Sequence, residues 1–225
     1  MEKKIDGIVV GDIQTNCWFY PLEAESPPGK QPCVVIDPGE EAALIINRLE
    51  KLNWMPHYIF LSHGHFDHLA ALPDLLEYFG KGNDPLPKVG IHRLDALYLG
   101  KDAYTAHRDS ISIAAGSCAY LDALWKPLVE ADIFFEEGNE AGPFNIVHTP
   151  GHTPGSVCFY DEKARILFSG DTLFRMGWGR TDLPGGDETQ LRQSLARLLS
   201  MDKEIVVCPG HGPATTIGNE AGLGY

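Results

Sequence analysis

The sequence predicts a single α/β domain, and three observations point to it. Short apolar runs of strand length alternate with amphipathic helical stretches along the 225 residues. Four of the apolar runs end in loops rich in His, Asp, Gly and Pro, and α/β proteins build their sites at such carboxyl ends of strands. No low-complexity tract or interdomain linker divides the chain, and a composition of 44% hydrophobic and 22% charged residues can bury one sizeable core without a disulfide or a structural metal.

In chain order, Glu23 to Gln31, with Pro27-Pro28-Gly29-Lys30, reads as a hairpin-like loop between two strands. Glu41 to Leu49 has apolar residues at helical spacing. Tyr58-Ile59-Phe60-Leu61 is a short buried strand ending at Ser62, and it leads into His63-Gly64-His65-Phe66-Asp67-His68. Lys81 to Pro87, with Gly82, Asn83, Asp84 and Pro85, is a loop. From about His92 to Trp125 the chain reads as helical, with Leu94, Leu97 and Tyr98 on one core-facing stripe. Phe144-Asn145-Ile146-Val147 runs into His148-Thr149-Pro150-Gly151-His152-Thr153-Pro154-Gly155. Arg165-Ile166-Leu167-Phe168 runs into Ser169-Gly170-Asp171. A helix at Glu188 to Leu199 is followed by Glu204-Ile205-Val206-Val207, which runs into Cys208-Pro209-Gly210-His211-Gly212-Pro213.

The stretch from His63 to His68 packs four cation-binding side chains into six residues. His63 and His65 are two apart, so at the end of an extended strand they point to the same side, and Gly64 removes bulk between them. Asp67 and His68 fall where the backbone turns, aimed from another direction and available to a second ion. A single His after a strand is an ordinary surface turn. A His-x-His-x-Asp-His run joined by three further loops, each adding a ligand type, is not. Imidazole nitrogen and carboxylate oxygen suit zinc and iron, and no thiolate cluster suggests a structural zinc, so an open hydrolytic centre fits better.

Cys17, Cys33, Cys118, Cys158 and Cys208 are odd in number and contain no Cys-x-x-Cys pair, which fits reduced thiols in a cytoplasm rather than a disulfide framework. Cys208, three residues before His211, reads as a strand-end packing residue. Met1 to Gly7 has basic residues but no signal-peptide core, and no apolar run of about 18 residues exists for a membrane span. A net charge of -13 without a Lys/Arg run is unsuited to phosphate backbones. The expected partner is a small-molecule substrate, with neither nucleic acid nor membrane.

Taken in order, the His-x-His-x-Asp-His run, the later His152, Asp171 and His211 resemble the metallo-β-lactamase superfamily, from Thr15-Asn16-Cys17 to Gly210-His211-Gly212-Pro213. Within it, Gly170-Asp171-Thr172-Leu173-Phe174, the stretch Gly179-Arg180-Thr181-Asp182-Leu183-Pro184-Gly185-Gly186-Asp187 and Thr215 to Glu220 resemble short bacterial glyoxalase II-like, or hydroxyacylglutathione hydrolase-like, proteins. The resemblance implies an αββα sandwich of two mixed sheets flanked by helices, with metals at one edge. It implies that His63, His65 and His152 hold one divalent ion, that Asp67, His68 and His211 hold a second, and that Asp171 bridges them. Zinc is the expected metal, with iron or a zinc and iron mixture as the variant. The implied activity is hydrolysis of a thioester of the S-lactoylglutathione type by a metal-bridging hydroxide, which Asp67 would also orient. His68 together with Asp171 is unlike the zinc β-lactamases, and the acidic charge is unlike the ribonuclease branch. A mononuclear-iron persulfide dioxygenase using the positions of His63, His152 and Asp171 stays open, as do a lactonase and a non-catalytic metal-binding protein.

The interval between His68 and His152 exceeds what the shortest members of that superfamily need, so 92–125 is expected to be a helical insertion near the mouth of the site. Tyr104, His107 and Arg108 are its candidates for substrate contact. Arg175 and Arg180 follow the bridging Asp closely, and Arg180 is expected to pair with Asp182 ahead of touching substrate. The chain stops shortly after His211, without the helical carboxyl-terminal domain through which full-length glyoxalase II enzymes contact glutathione. Loops or the insertion are therefore expected to hold the thiol.

Overall fold

Every side chain of the strand Gln31–Ile36 after its first residue is buried, which requires cover on both faces. Successive side chains alternate between those faces. Cys33 and Val35 join Ile45, Leu49, Leu72 and Leu75 in a core beneath helices. Val34 and Ile36 turn the other way, into an aromatic core with Phe60, Phe144, Phe159 and Phe168. The strands around Phe159 and Phe168 repeat the division, because Cys158 and Leu167 leave that aromatic core to pack with Leu191, Leu195 and Leu198. The computed structural model, which describes residues 5–23, 29–81 and 85–222, is thus built of four layers, helix, sheet, sheet and helix. This is the expected αββα sandwich. The expected loop residues Pro27, Pro28, Gly82, Asn83 and Asp84, and Met1 to Lys4, lie outside the described residues.

The first sheet has the order β1 (Asp6–Val10), β2 (Thr15–Pro21), β3 (Gln31–Ile36), β4 (Trp54–Phe60), β5 (Lys88–His92) and β6 (Ile133–Phe135). Its first two pairings are antiparallel and its last three parallel. Parallel neighbours need crossovers, supplied by α1 (Ala42–Leu52), α2 (Leu72–Phe79) and the pair α3 (Ala103–Ala115) and α4 (Ala119–Leu124). The second sheet draws on β7 (Glu140–Ala141), β8 (Phe144–His148), β9 (Val157–Asp161) and β10 (Ile166–Gly170). The ribbon β11 (Leu173–Phe174) and β12 (Gly177–Trp178) and then α5 (Glu188–Leu199) follow, before β13 (Val206–Pro209), β14 (Thr215–Thr216) and the short α6 (Ile217–Glu220). The second sheet runs β14-β13-β10-β9-β8-β7, with β10 and β13 parallel.

The helices expected at Glu41 to Leu49 and Glu188 to Leu199 are α1 and α5. Asp187 starts α5 by accepting the Gln190 N–H on its side chain at 2.9 Å. Residues 92–125 are largely helical, but the expected stripe of Leu94, Leu97 and Tyr98 is corrected by the structure. Arg93–Tyr98 winds as a 3-10 helix, in which residues three apart share a face. Asp95 and Tyr98 therefore face inward, at 0% and 4% exposure, while Leu94 and Leu97 face outward at 52% and 56%. All five cysteines are free. Cys208 belongs to the aromatic core, where burial pushes its thiol up to about 12. Among the described residues no helix is long and apolar enough to cross a membrane.

Candidate metal centre

β4, β8, β10 and β13 deliver their terminal loops to one rim of the sandwich. At the end of β4, Ser62 donates its hydroxyl to Asp37 Oδ2 at 2.6 Å and its N–H to Asp37 Oδ1 at 2.7 Å. With that hydroxyl proton committed, His63 Nδ1 is the donor in its 3.0 Å bond to Ser62 Oγ, and its Nε2 stays bare. His68 Nδ1 is 3.1 Å from the same Asp37 Oδ2. His152 Nδ1 donates to the Arg180 carbonyl at 2.7 Å and His211 Nδ1 to the Gln14 carbonyl at 3.3 Å. Four imidazoles thus have their outer nitrogen tied and their Nε2 turned inward, the arrangement that orients metal ligands. His65 is reversed. Its Nδ1 lies 3.2 Å from His63 Nε2 and 2.8 Å from His152 Nε2.

Donor atoms within 4.8 Å of one another fall into three overlapping groups: His63, His65 and His152; His63, His68 and Asp171; and Asp67, His68 and His211. Asp171 stands between the outer two. Its Oδ2 is 3.6 Å from His152 Nε2 and 3.5 Å from His211 Nε2, and its Oδ1 is 3.4 Å from His68 Nε2. Asp67 Oδ2 is 3.3 Å from His211 Nε2 and 3.4 Å from His68 Nε2. Thr15 Oγ1 donates to it at 3.1 Å.

The residues fit a pair of divalent metals. Ring nitrogens facing one another at such separations repel unless a proton or a metal ion lies between them, and Asp171 Oδ1 is buried without a hydrogen-bond partner. Burial, and then the neighbouring His152, pushes His65 down to about 3, so its lone pair is available. Burial works against charge on Asp67 and Asp171, yet His68 and His211 hold both carboxyls below the usual carboxylate range. Five imidazoles and two carboxylates form a donor set suited to zinc or iron.

The loops are clamped by groups that the sequence reading missed. Asp95, fully buried, accepts from the Gly64 N–H at 2.9 Å, the Thr153 hydroxyl at 2.7 Å and the Gly155 N–H at 2.7 Å. It joins the His65 loop to the His152 loop. Asn16 donates to the Pro209 and Gly212 carbonyls at 2.9 and 2.8 Å, pinning the His211 loop to the first sheet. A Cβ on Gly64 would fall 2.0 Å from Tyr98 Cδ2, so that glycine makes room for an aromatic ring as well as for its flanking histidines. Asp37 carried a sequence signal, a polar residue directly after the apolar run Cys33 to Ile36. Asp95 carried none, because its partners lie 31, 58 and 60 residues away.

A cavity of about 420 Å³ opens over His65, Asp67, His152, Asp171 and His211. Arg180 lines it, with its guanidinium forked onto Asp182 at 2.6 and 2.7 Å as expected. His107 also lines it. The other suggested contacts do not. Tyr104 lies a turn before His107, with its ring 5.1 Å from that of Trp125 and its hydroxyl donated to Asp122 at 2.7 Å. Arg108, one residue past His107 and so rotated by about 100°, pairs with Asp109 at 2.9 Å. Arg175 is exposed and away from the cavity.

The family model of the metallo-beta-lactamase superfamily matches residues 10–211, and the chain belongs to that superfamily. It is a hydrolase-type enzyme of a group that binds divalent metals. The chain is 35% identical to "Hydroxyacylglutathione hydrolase GloC" of Haemophilus influenzae, over 96% of this chain and 94% of that protein. It is 34% identical to "Probable metallo-hydrolase YqgX" of Bacillus subtilis, over 94% and 91%. Among solved structures, TTHA1623 in a di-iron-bound form is 36% identical, with a TM-score of 0.80 over 97% of this chain and 98% of that one. The BLEG-1 B3 metallo-beta-lactamase is 33% identical, with a TM-score of 0.77 over 96% of each chain.

Proposed function

We propose that the protein is a dinuclear metal-dependent thioester hydrolase. The observation that carries this reading is the Asp171 carboxylate, within 3.6 Å of His152 and 3.5 Å of His211 and so shared between two ligand groups. In this reading His63, His65 and His152 hold one ion, Asp67, His68 and His211 hold the other, and Asp171 serves both. When bound, such a pair lowers the pKa of water to about 7 and polarises a carbonyl oxygen. Asp67, fixed by Thr15, is placed to accept a hydrogen bond from the attacking water and aim it. The Asp37, Arg180 and Gln14 acceptors hold the imidazoles in the tautomers that ligation needs. The cavity over the centre has room to seat the substrate.

The Haemophilus relative's name supports S-lactoylglutathione as the first substrate to try, and the donor set supports zinc or iron. The test is elemental analysis of protein purified without chelator, followed by a thioester panel. Two ions per chain, with turnover abolished in Asp171→Ala, is the expected result. Fully loaded protein that hydrolyses no thioester overturns the reading, and a single iron with oxygen uptake on a persulfide would replace it by the dioxygenase. The 33% identity to BLEG-1 favours a second reading that the sequence alone disfavoured, opening of a β-lactam at the same centre. A chromogenic cephalosporin in the panel reads it directly.

A further inference from the structure

We infer that the cavity over the metal centre accepts an uncharged, apolar arm of the substrate, and that α3 is the element that selects it. The inference rests on the thioesterase reading and names its substrate class. His107, Ser110, Ile111 and Ala114 all line the cavity, and their spacing of i, i+3, i+4 and i+7 places them on one face of α3. The facing wall includes Leu183 and Ile13, the latter 49% exposed at the rim. With Phe66, Ile111 and Ala114 these residues give the cavity a largely apolar wall, which suits an apolar ligand.

Charge points the same way. A glutathione thioester presents two carboxylates and an ammonium group. Among the described lining residues the cation outside the candidate metal ligands is Arg180, whose Nε and Nη2 are paired with the Asp182 carboxylate. His107 adds no charge at neutral pH. Its Nε2 donates to the Tyr98 carbonyl at 2.9 Å, and burial pushes its pKa down to about 4. A volume of about 420 Å³ lies within the usual range for small-ligand sites. It exceeds the needs of a lactoyl group, and the wall offers little to the charges of glutathione.

The test is kcat/KM of the metal-loaded protein on two thioester series, acetyl to octanoyl, one carried on glutathione and one on the neutral thiol N-acetylcysteamine. Ala114→Trp, at an exposed position of α3, fills the cavity without touching the core, and Ala115→Leu is a milder second variant. The expected wild-type result is a rise of about fourfold for each methylene buried on both thiols, with the neutral thiol accepted at least as well as glutathione. In Ala114→Trp the rise should flatten while metal content holds. A flat wild-type series, a steep series unchanged by both substitutions, or a strong preference for glutathione overturns the inference. If no ester is turned over, the thioesterase reading fails separately, and calorimetry with ethanethiol and hexanethiol still reads the cavity. Tighter hexanethiol binding that Ala114→Trp removes supports the apolar arm, and equal binding of the two thiols refutes it.

Discussion

Asp171 reaches nitrogens of both ligand groups, whereas His211 Nε2 is near the carboxylates of one. If the centre is dinuclear as proposed, Asp171→Ala should strip both metals and His211→Ala should chiefly release one, as elemental analysis would show. Equal loss of a single ion from each variant would contradict the division of ligands. His107 makes a separate prediction through its titration. Its folded pKa of about 4 lies below the unfolded value of about 6.5, so between these values the unfolded chain binds more protons. Stability from this residue thus rises with pH across that window and is lost as pH falls through it, by on the order of 3 kcal/mol. In urea melts with chelator, the gap between wild type and His107→Phe should narrow from pH 7 to pH 4.5. A gap independent of pH would refute this. At this scale the ligand types were legible because metals demand particular donors. The inward-facing nitrogen of each ring was not, since distant groups such as Asp37 and the Arg180 carbonyl set it.

Strands ending in ligand-bearing loops are the elements that the apolar runs reveal, and β4, β8, β10 and β13 each end in one. What holds those loops together lies in the segment after β5, where the 3-10 helix Arg93–Tyr98 turns Asp95 inward to bind the His65 and His152 loops. Replacing Asp95 by Ala leaves the Gly64 and Gly155 N–H groups unpaired in the interior, while the Thr153 hydroxyl keeps Ser156, a loss of about 3 kcal/mol. Metal affinity should fall with it by tenfold or more, because these clamps set ligand geometry. Denaturant melts and competition with a chromophoric chelator would measure both. An Asp95→Ala protein with wild-type metal affinity would show that the clamp is dispensable to the centre. The misjudged stripe of Leu94 and Leu97 has its cause at this scale too. Apolar spacing alone does not distinguish three residues per turn from 3.6.

For the whole molecule, the metal centre is a joint between the two sheets, drawing His63 and His65 from the end of β4 and Asp171 and His211 from β10 and β13. In the dinuclear reading, removing the ions takes away the cations that tie these donors together across the joint. Tight binding to the folded state alone should then be visible as a fall of about 10 °C in melting temperature on chelation, restored when zinc or iron is returned. A melting temperature indifferent to chelator would mean that the centre adds nothing to the joint.

By itself the sequence determined the candidate ligand types, their order and the strands they follow, because periodicity and turn chemistry are local properties of a few adjoining residues. It also carried the resemblance from which the sandwich was expected. The tertiary structure alone decided which face of α3 lines the cavity, which carboxylates clamp the loops and how Asp171 is shared. Those features depend on pairs such as Asn16 with Gly212, 196 residues apart, which meet only once both sheets have packed on their common aromatic core.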